Sequence, residues 1–324
     1  MTAILKRDEA GTRSARRIAR DRVKSALKTL GPGKISDSAV HAARKDLKKA
    51  RAVLRLLRDA LGEPTYKKEN AALRDAARPL GDVRDGRVLV DALSSLVKYY
   101  GAPASALPLT RFQRALNRRR TELRREVLDK PSQLRGARKK LRQIRSRSGQ
   151  WRVGRHGWSV LGAGLKRTYS QGRDAFRMAR TAPTSEHLHE WRKQTKYFWH
   201  QLQVFEPLWP GPLGKLVDET HKLTDFLGDD HDLAVLRERA VAAREEFPTA
   251  ASHRALLALI ERCREGLQEK ALQLGQLLYE EKPAVFTARL GKYWEDWRHS
   301  PQREKALQPA GLAAGRASQS RKAS

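Results

Sequence analysis

Two octapeptides decide the reading of this chain, His41-Ala-Ala-Arg-Lys-Asp-Leu-Lys48 and His189-Glu-Trp-Arg-Lys-Gln-Thr-Lys196. Both spell H-x-x-R-K-x-x-K, and Leu54 and Leu202 continue the match. At about 100° per residue, His41, Arg44, Lys45 and Lys48 fall within an arc of roughly 100° on a helix. Arg51 and Arg55 carry that stripe two turns further, while Ala43, Leu47, Ala50, Leu54, Leu57 and Leu61 form the opposite face. In the second copy His189, Arg192, Lys193, Lys196 and His200 share a face against Trp191, Thr195, Phe198, Leu202 and Phe205. Each copy predicts an amphipathic helix with an apolar side inward and a basic side outward.

A second pair of segments follows at a nearly common offset. Leu80-Gly-Asp-Val-Arg-Asp-Gly-Arg-Val-Leu89 and Leu227-Gly-Asp-Asp-His-Asp-Leu-Ala-Val-Leu236 both read L-G-D-x-x-D-x-x-V-L. Two ordered motifs recurring in step predict a duplicated fold. The glycines are expected to break a helix, placing Asp82 and Asp229 as N-caps with Asp85 and Asp232 three residues on, a capping-box spacing. The alternative is that these aspartates brace the arginines and lysines of the stripe. A metal site from Asp229, Asp230, His231 and Asp232 is disfavoured, because the first copy has Val83 and Arg84 where the second has Asp230 and His231.

Helical periodicity fills the rest, broken by turn signals at Gly31-Pro-Gly33, Gly62-Glu-Pro64, Gly101-Ala-Pro103, Ala106-Leu-Pro108, Lys130-Pro131 and Pro207 to Gly214. No alternating strand pattern persists, so an all-α fold of two pseudo-symmetric halves is expected, residues 1–145 and 146–300. The stretch 301–324, rich in Ala, Gly, Ser, Arg and Lys, is expected to be disordered.

Charge narrows the partner. The 324 residues carry 67 Lys and Arg against 36 Asp and Glu, a formal net charge of +31, with 40% hydrophobic residues to build a core. Such a balance predicts a polyanionic partner: nucleic acid, an anionic membrane surface or a phosphate polymer. No apolar run reaches the roughly 20 residues of a membrane span, so no membrane insertion is expected. With a single cysteine, Cys263, and no signal-peptide core, a reducing, cytoplasmic location is expected. There is no phosphate-binding loop, no G-x-S-x-G elbow and no H-E-x-x-H pair, since Lys193 stands where a second histidine would be. Cys263 is expected to serve packing. Neither a catalytic residue, a metal nor a cofactor is expected.

The basic stripe stands out from an ordinary solvated face. Like charges one turn apart cost a helix a few tenths of a kcal/mol each, few carboxylates offset them, and a histidine holds the same place twice. The paired H-x-x-R-K-x-x-K helices and L-G-D-x-x-D segments resemble the CHAD domain, the conserved histidine α-helical domain, over roughly residues 5–295. That resemblance implies two four-helix bundles about a pseudo-twofold axis, basic helices lining a shared groove, and binding of inorganic polyphosphate, with some members at polyphosphate granules. It implies phosphate contacts from His41, Arg44, Lys45, Lys48, His189, Arg192, Lys193 and Lys196, extended by Arg51 and Arg55. Arg16 and Arg20 in one half, and Lys166 and Arg173 in the other, are further candidates on the preceding helices. Where the first copy has Arg51 and Arg55 the second has Trp199 and Gln203, so a weaker grip is expected there. Nucleic acid is the competing polyanion, and a phosphate-transferring enzyme the remaining alternative. A chain of bare phosphates suits a long basic groove, whereas single-stranded nucleic acid gains from exposed aromatic platforms.

Overall fold

The computed structural model describes residues 4–31, 35–128, 131–154 and 156–299, and their regular structure is entirely helical. In chain order the helices are α1 (Gly11–Thr29), α2 (Asp37–Leu56), α3 (Arg58–Leu61), α4 (Glu63–Ala77), α5 (Pro79–Tyr100), α6 (Ala102–Ser105) and α7 (Thr110–Leu128). There follow α8 (Pro131–Gly149), α9 (Trp158–Thr181), α10 (Ser185–Phe205), α11 (Pro210–Ala242), α12 (Ala250–Leu278) and α13 (Pro283–His299). The all-α class is as expected; the stretch 301–324 lies outside the described residues.

Local chemistry starts the two key helices alike. Ser36 Oγ accepts from Ala39 N at the head of α2, and Thr184 Oγ1 accepts from His187 N at the head of α10, both at 3.2 Å. Each cap lies five residues before its histidine, so His41 and His189 occupy the same turn of equivalent helices. Asp37 and Glu186 stand in the two first turns, where the helix dipole favours a carboxylate. Several breaks fall as read from the turn signals: Gly62, at φ 74°, separates α3 from α4, and Gly101, at φ 61°, ends α5.

Two hydrophobic cores hold the helices. The larger joins Leu47 and Leu54 of α2, Leu141 of α8, Tyr169 of α9 and Trp191 and Phe198 of α10, all fully buried. The smaller joins Leu93 and Leu96 of α5 and Phe112 of α7 with Leu233 and Leu236 of α11 and Ile260 of α12. Both cores draw side chains from either side of residue 145, so the two halves fold onto one another as one body. Close approach is literal at Gly164, where a Cβ would lie 2.6 Å from the Leu56 Cα.

The expected break at Gly228 does not occur, and the one expected at Gly81 falls three residues earlier, at Arg78. α11 runs 33 residues straight through Gly228, and α5 begins at Pro79, with no side-chain cap at its head. A glycine inside a helix costs about 1 kcal/mol, less than the burial of Leu223, Leu227, Leu233 and Leu236 on either side of Gly228 gains. The N-cap reading of Asp82 and Asp229, with Asp85 and Asp232 completing the box, is therefore corrected. Asp82 sits in the first turn of α5 with its side chain outside the described residues, and Asp229 is mid-helix.

Candidate anion-binding cleft

α2 and α10 pack against each other with α5 and α11 alongside, and this brings the two H-x-x-R-K-x-x-K stripes together. Their meeting point is Lys48 and Lys196. Burial, with Lys196, Arg44, Arg192 and Arg84 nearby, pushes the Lys48 ammonium down to about 7. Burial, with Arg192 and Arg84, pushes Lys196 down to about 8. Arg192 is 7% exposed, its pKa is lowered first by burial, and its Nε has no hydrogen-bond partner. Among the described residues no carboxylate forms an ion pair with Lys48, Lys196 or Arg192. Asp232, Asp229 and Asp85 offset Arg192 in part, and Asp232 and Asp225 offset Lys196, but burial and the neighbouring cations outweigh them, so the cleft favours an anion.

The L-G-D segments serve this cluster. A Cβ on Gly81 would lie 3.2 Å from Arg44 Nη1, and one on Gly228 3.8 Å from Arg192 Nε. Gly81 thus leaves room for Arg44, while Gly228 stands at ordinary contact distance from Arg192. Arg84 bonds both carboxylate oxygens of Asp232 at 3.2 Å, a contact between α5 and α11, and its other nitrogen lies 3.6 Å from Asp85. Asp229 lies beside Asp232 and Asp225, and burial with these neighbours raises its pKa. Among the described residues Asp232 and Asp85 thus pair with Arg84 of α5 and not with an arginine or lysine of the two stripes.

The histidines occupy the mouth, exposed, in matched settings. His41 neighbours Arg84 and Arg87, and burial followed by Lys45 and those arginines lowers its pKa. His189 has Nδ1 3.5 Å from Nδ1 of His231, the residue matching Arg84 in the repeat. Burial first, then Arg192 and Lys193, lowers His189, and His231 falls to about 4 for the same reasons. Lys45 and Lys193 are exposed beside them, and Lys193 is paired with Glu190.

Beyond Lys48 the path continues on one side only. Arg44, Lys48, Arg51, Arg74 and Arg78 line an open cavity of 650 Å³ whose one carboxylate, Asp75, is paired with Arg74. Arg51 donates to Asn70 at 3.0 Å, and Arg55 stacks 3.9 Å from the Tyr197 ring centroid. In the other half Trp199 is buried and stacks on His221 at 4.2 Å. His200, read from periodicity as part of the basic face, is 5% exposed and held near pKa 3, neutral. α2 crosses α10 there, as the Gln201 Nε2 bond to Ala52 O at 2.9 Å marks.

Four candidates lie elsewhere. α1 packs on the far side of α2, where Arg22 pairs with Asp46, nearly opposite Lys48 on the helix. Arg16 there donates to Trp151 O at 3.0 Å, and Arg20 is exposed. Arg173 donates to Tyr279 O at 2.9 Å at the end of α12, and Lys166 is exposed on α9. Arg84, Arg74, Arg78 and Arg87 went unread because no helical period relates them to α2; the one available signal was Arg84 filling the variable place of the repeated L-G-D motif.

Among the described residues no group of three or more His, Cys, Asp or Glu side chains is placed to hold a metal, and no helix is long and apolar enough to cross a membrane. Cys263, on α12, has its thiol pushed up by burial.

The CHAD domain family model matches residues 17–241, a span holding both copies of both motifs. Two solved structures share the fold. "PptA from Streptomyces chartreusis" superposes with a TM-score of 0.58 at 16% identity, over 81% of this chain and 96% of that one. The CHAD domain from the plant Ricinus communis gives 0.50 at 13% identity, over 90% and 95%. No curated protein matches the sequence.

Proposed function

The chain belongs to the CHAD domain family, and from that premise we propose that it binds inorganic polyphosphate, without turning it over, in the cleft where α2 meets α10. The observation that carries this reading is the convergence of Lys48, Lys196 and Arg192 with no ion-paired carboxylate. A polyphosphate segment supplies closely spaced oxygens and no bases. Arginine takes such oxygens bidentately and lysine as a point charge. The tryptophans of α10 support a bare phosphate chain over single-stranded nucleic acid, because Trp191 is 0% and Trp199 9% exposed and neither offers a stacking platform. Location at polyphosphate granules is the matching cellular expectation, checked by imaging a fluorescent fusion in cells with and without polyphosphate.

The test is competition at fixed ionic strength. Long-chain polyphosphate binds, Arg44→Glu with Lys48→Glu or Lys193→Glu with Lys196→Glu weakens it at unchanged helical circular dichroism, and single-stranded RNA at equal charge fails to displace it. Displacement by the RNA refutes the assignment. Turnover of polyphosphate or nucleoside triphosphate with a divalent metal, lost in His41→Ala and His189→Ala, would instead make the protein an enzyme.

A further inference from the structure

The cleft leaves much of the charge unused. α7 carries seven arginines against two glutamates, and α8 carries five arginines and two lysines with no acidic residue. By contrast α12, the long helix bordering the same smaller core as α7, carries four cations to three carboxylates. Packing beside that core does not require the excess.

The cations of α7 and α8 divide by direction. Those turned inward are spent on structure: Arg120 and Arg124 bond Asp37 at 3.1 and 3.0 Å, Arg147 bonds Glu69 at 2.6 Å, and Arg138 bonds the carbonyls of Leu30 and Gly31. Of those turned outward, Arg118 pairs with Glu246 and Arg119 with Glu122, but a further six do not pair. Arg111, Arg114 and Arg125 fall within an arc of about 60° on α7, and Lys139, Arg142 and Arg145 within about 120° on α8. All six are exposed, and among the described residues none makes an ion pair. The two helices touch, and each spans roughly 28 Å at 1.5 Å per residue.

We propose that the outer faces of α7 and α8 form a second polyanion surface, separate from the cleft, that takes double-stranded nucleic acid through its phosphates. Shape and chemistry select the duplex. A flexible chain laid on an exposed helix face loses conformational freedom without gaining enclosure, whereas a duplex presents its phosphates already arrayed. Single strands would need exposed aromatics, and the one aromatic residue of α7 and α8, Phe112, is fully buried. A membrane surface would favour an apolar side chain to insert, and among the described residues the exposed large hydrophobic ones, Tyr99, Met178, Val241, Leu277 and Val285, all lie on other helices. Phosphate contacts of this kind carry no base specificity, so binding is independent of sequence and strongly salt-dependent.

The experiment titrates the full chain against a fluorescent mixed-sequence duplex of about 24 base pairs, long enough to cover the face. It uses parallel titrations with long-chain polyphosphate and with phosphatidylserine vesicles. The variant Lys139→Glu/Arg142→Glu/Arg145→Glu should lose more than tenfold in duplex affinity. Its salt slope should fall by about 0.9 for each phosphate contact removed. Polyphosphate binding should stay within twofold, and the corresponding Gln variant should show a smaller loss in the same direction. Lys48→Glu/Lys196→Glu should do the reverse, and if it fails to weaken polyphosphate the cleft assignment fails while the duplex surface stands. Duplex binding untouched by the α8 changes overturns the proposal, as does duplex binding lost with the cleft variant or vesicle binding without duplex binding. An equal fall in both polyanions with the α8 variant also overturns it, since one continuous surface would then serve both.

Discussion

Raising the pH from 7 to 9 should weaken polyphosphate binding steeply, and the two half-buried lysines set the size of the effect. In the empty protein Lys48 titrates near 7 and Lys196 near 8. Against a polyphosphate chain both recover their ordinary charge, so at alkaline pH the ligand must pull protons onto them. Treating the sites as independent and fully protonated when bound, Lys48 loses about 1.7 and Lys196 about 1.0 powers of ten in affinity over that interval. Together that is roughly 500-fold, or nearly 4 kcal/mol. Calorimetry in buffers of different ionisation heats should show close to two protons taken up per site at pH 9, and well under one at pH 7. Internal phosphates of the chain stay ionised throughout, so the dependence belongs to the protein. Replacing both lysines by arginine, which keeps its charge, should flatten the profile. The fold itself responds with the opposite sign. These lysines bind fewer protons folded than unfolded, so stability of the empty protein rises as pH climbs from about 7 through the unfolded lysine value near 10.4. An affinity unchanged between pH 7 and 9, with no proton uptake, refutes the convergent-lysine cleft.

Three further outcomes follow from single contacts. Asp232→Asn frees Arg84 from its 3.2 Å partner and should tighten polyphosphate a few-fold, about 1 kcal/mol, with a steeper salt dependence in the binding isotherm. Gly228→Val adds methyls to a position whose Cβ would already lie 3.8 Å from Arg192 Nε; binding should fall at least tenfold, with helical circular dichroism retained because α11 is already continuous there. Leu202→Ala, at a site 1% exposed in the larger core, should cost about 2–5 kcal/mol in urea unfolding, and a cost under about 0.5 kcal/mol would mean the site is not packed as described.

Sequence alone determined the helical class, the duplicated stripe and which side of α2 faces the core. Those are periodic properties: Leu47, Ala50 and Leu54 recur at the helix repeat, and His41, Arg44 and Lys48 fall opposite. The same logic made the L-G-D segments into helix starts, because a glycine followed by aspartate is a local stop signal. It had no means to weigh that signal against the leucines buried on both sides of Gly228. Only the tertiary structure decided that Gly81 is a space for Arg44 and Gly228 a mid-helix neighbour of Arg192, that Arg84 reaches Asp232 between α5 and α11, and that His200 leaves the basic face because α2 crosses over it. Arg16, Arg20, Lys166 and Arg173 show the converse, basic residues in sequence order near the stripe that packing turns elsewhere. The physical reason is range. Helix periodicity and capping act over a few residues, whereas the lowered proton affinities of Lys48 and Lys196 come first from burial in a cleft shared with Arg192 and Arg84 and built from segments 148 positions apart. Those basic helix faces were legible from the first octapeptide; that they meet in a cleft where burial and neighbouring cations lower the proton affinity of both lysines was not.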